Sequence, residues 1–219
     1  MATITAADVS ALRQQTGAGM MDCKKALQEA DGDAEKAAEI LMKKGIVKAA
    51  ERSGRIATEG AVGSYIHGGR IGVLVEINCE TDFVARTEQF KNLVKDIAMH
   101  IAAADPRPRF VDDSEIPAGE EAKQREIFSA LPDVQGKPAN IQEKIVEGKI
   151  QKWRKEQCLL DQPFVKDPEM TVRDFVVKTA ATAIKENVKV RRFVRFELGE
   201  GLEKKTTDFA AEVAAAVQG

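Results

Sequence analysis

The 219-residue chain is poor in the groups from which active sites are most often built. Histidine occurs only at His67 and His100, and neither stands in a motif. There is no glycine-rich phosphate loop ending in Lys-Ser/Thr, no closely spaced cysteine pair and no Gly-Xaa-Ser-Xaa-Gly elbow. A self-contained active site is therefore disfavoured before any motif is read, and a binding or regulatory role is favoured. Both histidines are expected to be structural, His67 at a turn and His100 near the edge of a helical stripe. The three cysteines, Cys23, Cys79 and Cys158, are odd in number and far apart. That argues against a disulfide framework and fits reduced thiols in a reducing compartment. No apolar run approaches the ~18 residues of a membrane span. The first residues carry neither a basic nor an apolar leader region, so no secretory signal is expected and the expected location is cytoplasmic, or its organellar equivalent. Lys plus Arg is 33 against 35 for Asp plus Glu, and a net charge of -2 gives no general electrostatic case for nucleic-acid binding.

What is present is an ordinary folding mixture, 43% apolar and 31% charged, long enough to bury a core. The fold class expected is α+β. Residues 1–47 read as a module of three short helices. Thr5 caps the first, with Val9 and Leu12 on one face. The second runs from Met20 to Ala30 with Cys23, Ala26, Leu27 and Ala30 along its apolar stripe. Asp33 caps the third, in which Ala34, Ala37, Ala38 and Leu41 share a face and which Gly45 closes. Residues 48–57 form a linker, charged and helical from Lys48 to Arg55.

From 58 to 116 the period changes to that of a core sheet and helix. Ile71, Val73, Val75, Ile77 and Cys79 alternate strictly after a Gly68-Gly69 turn, the pattern of a β-hairpin. Thr87 opens a helix with Phe90, Leu93, Val94, Ile97, Ile101 and Ala104 in one stripe, and Pro106 and Pro108 end it. Residues 117–160 read as a helical hairpin arm, Ala118 to Leu131 and Ala139 to Leu160, separated by a Pro132–Pro138 loop. Its second helix is interrupted by Gly148, and Ile141, Ile145, Val146, Ile150 and Trp153 point several ways. That scatter fits an arm meeting another surface and equally a helix bent around its own core. The rest of the core, 161–203, supplies a helix from Thr171 to Asn187, with Val172, Phe175, Val176, Thr179 and Ala183 on one face. A strand follows from Val188 to Leu198, with Val188, Val190, Val194 and Phe196 on one side, as the third member of the sheet. Its basic residues read as a solvated strand face. Residues 204–219 form a short alanine-rich C-terminal helical module beyond glycines 199 and 201.

Two apolar positions stay open on these grounds. Helical geometry sets Met21 opposite the Cys23–Leu27 stripe, which fits incidental exposure as well as a contact. Phe83 lies seven residues before Phe90 and extends the core stripe of the following helix if the helical register is continuous.

Two long stretches carry a resemblance. The segment Leu12-Arg13-Gln14-Gln15-Thr16-Gly17-Ala18-Gly19-Met20-Met21-Asp22-Cys23-Lys24-Lys25-Ala26-Leu27 resembles the N-terminal signature of the bacterial elongation factor Ts family, and Asn78-Cys79-Glu80-Thr81-Asp82-Phe83-Val84-Ala85-Arg86 resembles its second. Met99–Ala103, Gln162–Val165 and Arg195–Gly201 match as well, collinearly over nearly the whole chain. The resemblance implies a guanine-nucleotide exchange factor acting on elongation factor Tu, the GTPase that carries aminoacyl-tRNA to the ribosome. It implies no cofactor, no covalent chemistry of its own and no direct contact with nucleic acid or membrane. The first three helices then form a ubiquitin-associated-like (UBA-like) module, followed by an antiparallel three-stranded sheet packed with helices. By the same resemblance Met20 and Met21 press on the GTPase domain, a use that suits methionine. Thr81, Asp82, Phe83 and Val84 form an exposed tip whose phenyl ring wedges between two helices beside the Mg²⁺ site. Long family members carry two strand-and-helix core units and this sequence carries one, so a second can come only from another chain, in a homodimer whose partner is expected to cover the arm's Ile141, Val146, Ile150 and Trp153. Two other readings remain: a UBA-like interaction module without exchange activity, and a small enzyme using Asp82 and Arg86.

Overall fold

The structure is a computed structural model and describes residues 4–16 and 18–202. It is α+β, with a helical module leading into a sheet covered by helices on one face. Thr5 and Asp8 exchange hydrogen bonds at the start of α1 (Ala6–Thr16), satisfying amides that the first turn leaves unpaired. Asp33 does the same for α3 (Ala34–Arg52), accepting from Glu35 and Lys36. Between them α2 (Met20–Glu29) turns Cys23, Ala26 and Leu27 inward against Val9, Leu12, Ala37 and Leu41. Ala34 is exposed and does not join this small core.

Gly45 does not close the third helix. α3 runs on to Arg52, so the linker is helical as expected but continuous with the third helix. A side chain at Gly45 would bring its Cβ within 3.2 Å of Ala181 Cβ. The glycine serves a close crossing of α3 over a neighbouring segment, not a helix end.

The sheet has the order β1-β2-β5 and is antiparallel throughout: β1 (Glu59–His67), β2 (Ile71–Cys79) and β5 (Lys189–Glu197). Gly68 and Gly69 sit at φ 54° and 67°, the left-handed region that a tight hairpin needs, and Arg70 N–H closes the turn on His67 O at 2.9 Å. The even rhythm of β2 turns Val73, Val75, Ile77 and Cys79 onto Phe90, Leu93, Val94, Ile97 and Ile101 of α5 (Glu88–Ala103). A one-turn helix, α4 (Asp82–Ala85), joins β2 to α5.

The two-sided reading of the last strand holds only as far as Val190. A β-bulge sets Arg192 opposite Glu76 and Val190 opposite Ile77, leaving Arg191 as the extra residue. One inserted residue reverses every later side chain. Phe193 and Arg195 therefore face the core, while Val194 and Phe196 face outward. Glu76 anchors the bulge, accepting from Arg191 at 3.0 Å and from Arg192 at 2.6 Å, and the Arg192 guanidinium in particular holds its carboxyl below the usual range. Arg195 pairs with Glu197, but its buried Nε finds no hydrogen-bond partner among the described residues. No described helix lies over the sheet's outer face, and Val62, Ile66, Leu74, Val194 and Phe196 are exposed there.

The arm consists of α6 (Ala118–Ser129), α7 (Pro132–Gln135) and α8 (Ala139–Gln157). The expected loop thus contains a helical turn, and Gly148 does not interrupt α8. The scattered apolar residues are also largely accounted for within the arm. Val146 and Ile150 are buried against Val134, Phe128, Leu131 and Ile145, so the arm has a core of its own, while Ile127 and Ile141 are left exposed. Arg154 grips Glu121 through two hydrogen bonds of 2.9 and 2.6 Å across the pair of long helices. Cys158 is fully buried where the arm returns to the core, and burial pushes its thiol up to about 12.

A small ribbon, β3 (Pro163–Phe164) and β4 (Asp167–Thr171), leads to α9 (Val172–Thr179), which a Thr171–Asp174 capping box opens. The helix expected to Asn187 changes character at Ala180 into one π-helical turn and stops at Ile184. That change brings Ala180, Ala181 and Ile184 inward and leaves Ala183 exposed. Lys185 follows at φ 63°, and the chain reverses there. The expected C-terminal helix lies outside the described residues.

Candidate functional site

The strand-to-helix junction at residues 80–87 is built from unusually many directional contacts for so short a segment. Thr81 caps α4, its hydroxyl accepting from Val84 N–H. The same hydroxyl donates to one carboxylate oxygen of Glu186 at 2.7 Å, and the N–H groups of Glu80 and Thr81 both donate to the other at 3.0 Å. Thr81 O accepts from the buried Cys79 thiol at 3.2 Å. Burial and the Glu186 charge push that thiol up to about 11. Thr87 caps α5 by accepting from Phe90 N–H, which starts a second, separate helix.

This double capping decides the fate of the two phenylalanines. Phe90 is fully buried, whereas Phe83 is 78% exposed at the outer side of α4. The continuous-stripe reading of Phe83 is therefore excluded. Val84 and Ala85 pack against the core and fasten the turn, while Asp82 pairs with Arg86 at 2.9 Å on the surface. Of the candidate residues at the tip, Thr81 and Val84 point into supporting contacts, Asp82 is part-exposed and Phe83 projects.

A further layer ties the junction to the helical module. Glu80 accepts from Asn187 N–H at 2.7 Å and from Arg55 at 3.3 Å, and the Asn187 contact above all holds its carboxyl below the usual range. The Asn187 side-chain amide donates to Ser53 O and Arg55 O, just past the end of α3. Residues 53–55, 80–81 and 186–187 thus meet in one hydrogen-bonded knot. The sequence gives no sign of it, because Glu186 stands 105 residues from Thr81.

Met20 and Met21 open α2, 55% and 66% exposed, so both stand clear of the module's core. The histidines have structural places. His67 shares a hydrogen bond with Tyr65 on the hairpin. His100 is buried, accepts from Val165 N–H at Nδ1 and so donates from Nε2 to Gln162, and burial lowers its pKa. Among the described residues no group of three or more His, Cys, Asp or Glu side chains is placed to hold a metal ion. Two clefts, of about 690 and 480 Å³, lie between the helical module and the turn that ends α9, and beside His100. Asp82 and Arg86 pair with each other on the surface.

Comparison with known proteins decides the relationship. The family model described as Elongation factor TS matches residues 28–200. The chain is 60% identical over 216 residues to elongation factor Ts of Carboxydothermus hydrogenoformans, covering 98% of both chains. It is 60% identical over 215 residues to that of Geobacter sulfurreducens, again with 98% of each covered, and 58% identical over 220 residues to that of Synechocystis sp., with 100% of each covered. The chain belongs to the elongation factor Ts family. Its relatives are matched end to end, so both long signatures fall inside the shared region. In this member of the elongation factor Ts family the N-terminal signature forms the end of α1 and most of α2, and the second forms the end of β2, the Thr81 cap and α4. No helix among the described residues is long and apolar enough to cross a membrane.

Proposed function

We propose that the protein is the guanine-nucleotide exchange factor of translation elongation, that it binds elongation factor Tu in its GDP state, and that Phe83 is the group that promotes GDP release. The observation that carries this reading is the projecting phenyl ring on a turn whose base is fastened on every side. Exposure of so large an apolar side chain is unfavourable in the free protein and rewarded only when a partner covers it. A nucleotide's phosphates are held by backbone N–H groups and a Mg²⁺ ion with demanding geometry. A rigid wedge beside that site need shift those groups only slightly to lose affinity for GDP. Because the effect is a coupling between two binding events, GDP weakens binding of the exchange factor in equal measure. Met20 and Met21 supply a second, adaptable contact from the helical module. The protein uses no cofactor and makes or breaks no covalent bond, and it works in the cytoplasm. The test is release of labelled GDP from elongation factor Tu with and without this chain. An unaltered release rate would leave a UBA-like binding module as the better description.

The homodimer expectation moves from the arm to the sheet. The arm covers most of its own apolar residues, but the outer face of β1, β2 and β5 does not. Val62, Ile66, Leu74, Val194 and Phe196 make that face largely apolar, and Arg191 and Arg192 beside them share the carboxylate of Glu76. An apolar face of this kind is buried when it meets a copy of itself, and two-fold pairs are the commonest homo-oligomers. Sedimentation equilibrium at micromolar concentration is expected to show a dimer that Phe196→Glu dissociates. A monomer at every concentration would reject it.

A further inference from the structure

We propose that Glu186 is a positioning residue for nucleotide exchange, holding the Phe83 turn rigid at its base. The inference rests on the exchange reading above. A wedge transmits displacement only if its base does not recoil. Val84 and Ala85 anchor one side of this four-residue helix on the core, and the start of the turn at Thr81 needs stiffness of its own. Glu186 supplies it: its two oxygens take the Glu80 and Thr81 amides at 3.0 Å and the Thr81 hydroxyl at 2.7 Å. A carboxylate is suited to this, being an acceptor at both oxygens with room for several donors.

The position of Glu186 is itself determined from outside the tip. Ile184 is buried, Lys185 reverses the chain at φ 63°, and Asn187 is bound to Glu80, Ser53 and Arg55. Glu186 is therefore fixed on both sides in sequence. The same knot joins the Phe83 turn to the end of α3, the helix that also carries part of the packing under Met20 and Met21. Two contact groups on different modules are thus held in one relative orientation by this hydrogen-bonded knot. Glu186 needs no contact with elongation factor Tu to affect the rate.

Two variants separate this role from general stability. Glu186→Ala removes all three acceptor contacts. Glu186→Gln keeps one oxygen for both amides and turns its NH₂ toward the Thr81 hydroxyl, which can accept. In Glu186→Ala the maximal rate of catalysed GDP release is expected to fall about tenfold, the scale on which small misplacements cost rate. The concentration of exchange factor giving half the maximal rate is expected to change less than about twofold, because the docking residues remain. Glu186→Gln is expected to recover most of the rate. In the free protein, hydrogen exchange at residues 81–85 is expected to quicken in Glu186→Ala and to return toward wild type in Glu186→Gln, with the melting temperature nearly constant. A normal maximal rate in Glu186→Ala overturns the proposal, and so does unchanged hydrogen exchange at 81–85. A loss of rate matched by an equal loss of folded protein also overturns it. Failure of the wild-type chain to speed GDP release is a different result: it removes the exchange reading and this role with it, while hydrogen exchange still reports whether Glu186 holds the turn.

Discussion

Phe83 and Phe90 are the same residue type two turns apart along the chain, and their environments are opposite. One projects from α4 and the other is the largest fully buried side chain of the core. Spacing alone assigns both to one stripe. What separates them is the pair of threonine caps at 81 and 87, each of which starts its own helix. The junction between the caps, Arg86, ends the first turn and re-aims the chain. A helical period is informative only within one capped segment. Two caps six residues apart mean two helices, each with its own phase.

The comparison can be broken most forcefully at Phe90. Phe90→Ala empties the space between α5 and the sheet and is expected to cost about 3–5 kcal/mol, read as a lowered denaturation midpoint. Phe83→Ala is expected to leave stability within about 0.5 kcal/mol. If Phe83 is a contact of hot-spot rank, worth about 2 kcal/mol or more, catalysed GDP release falls about thirtyfold or further. A normal rate from well-folded Phe83→Ala would place the wedge elsewhere. Met21→Glu extends the contrast to the helical module. It puts a charge where the structure has exposed apolar surface, so folding is expected to be unaffected, while affinity for elongation factor Tu falls by a factor of about 5–30, or about 1–2 kcal/mol, measured by titration.

The smallest effect concerns acid. His100 is held neutral on the buried side of α5, and its pKa lies below that of the unfolded chain because burial disfavours the imidazolium. The unfolded state therefore binds the proton first. The stability that the buried neutral ring contributes is complete above the unfolded pKa, ordinarily about 6.5, and is lost as pH falls through the lower folded value. His100→Gln is expected to show a flatter loss of melting temperature across that window. An identical slope in both proteins would mean that other groups set the acid response of this helix.

Much of the fold is written in local patterns. The alternation from Ile71 to Cys79 fixes both the hairpin and its buried face, and the stripe from Phe90 to Ile101 fixes the covering helix. Thr5, Asp33 and Thr87 are read correctly as caps because a cap is a one-residue signal. Elsewhere a local pattern was overruled by contacts distant in sequence. Gly45 has the chemistry of a helix stop, yet Ala181 needs it as a close neighbour. Alternation along β5 is reversed by a bulge that depends on Glu76, a residue of another strand. The arm's own core needs Val134, which sits in a stretch that reads as loop. At the candidate site, the residues Thr81 to Val84 were legible through their signature. The Glu186 and Asn187 supports were not, since nothing local distinguishes them from any polar residues after a helix.

The three cysteines fall one to each part of the molecule: Cys23 in the helical module, Cys79 under the sheet and Cys158 at the base of the arm. All three are buried free thiols. A thiol-directed reagent in solution reaches none of them in the closed protein, and each becomes reactive only when its own surroundings open. The natural sequence thus carries a set of internal reporters. Pulse-labelling followed by peptide mass measurement would time the opening of module, sheet and arm separately, with no engineered probe, in the free chain and with a partner bound.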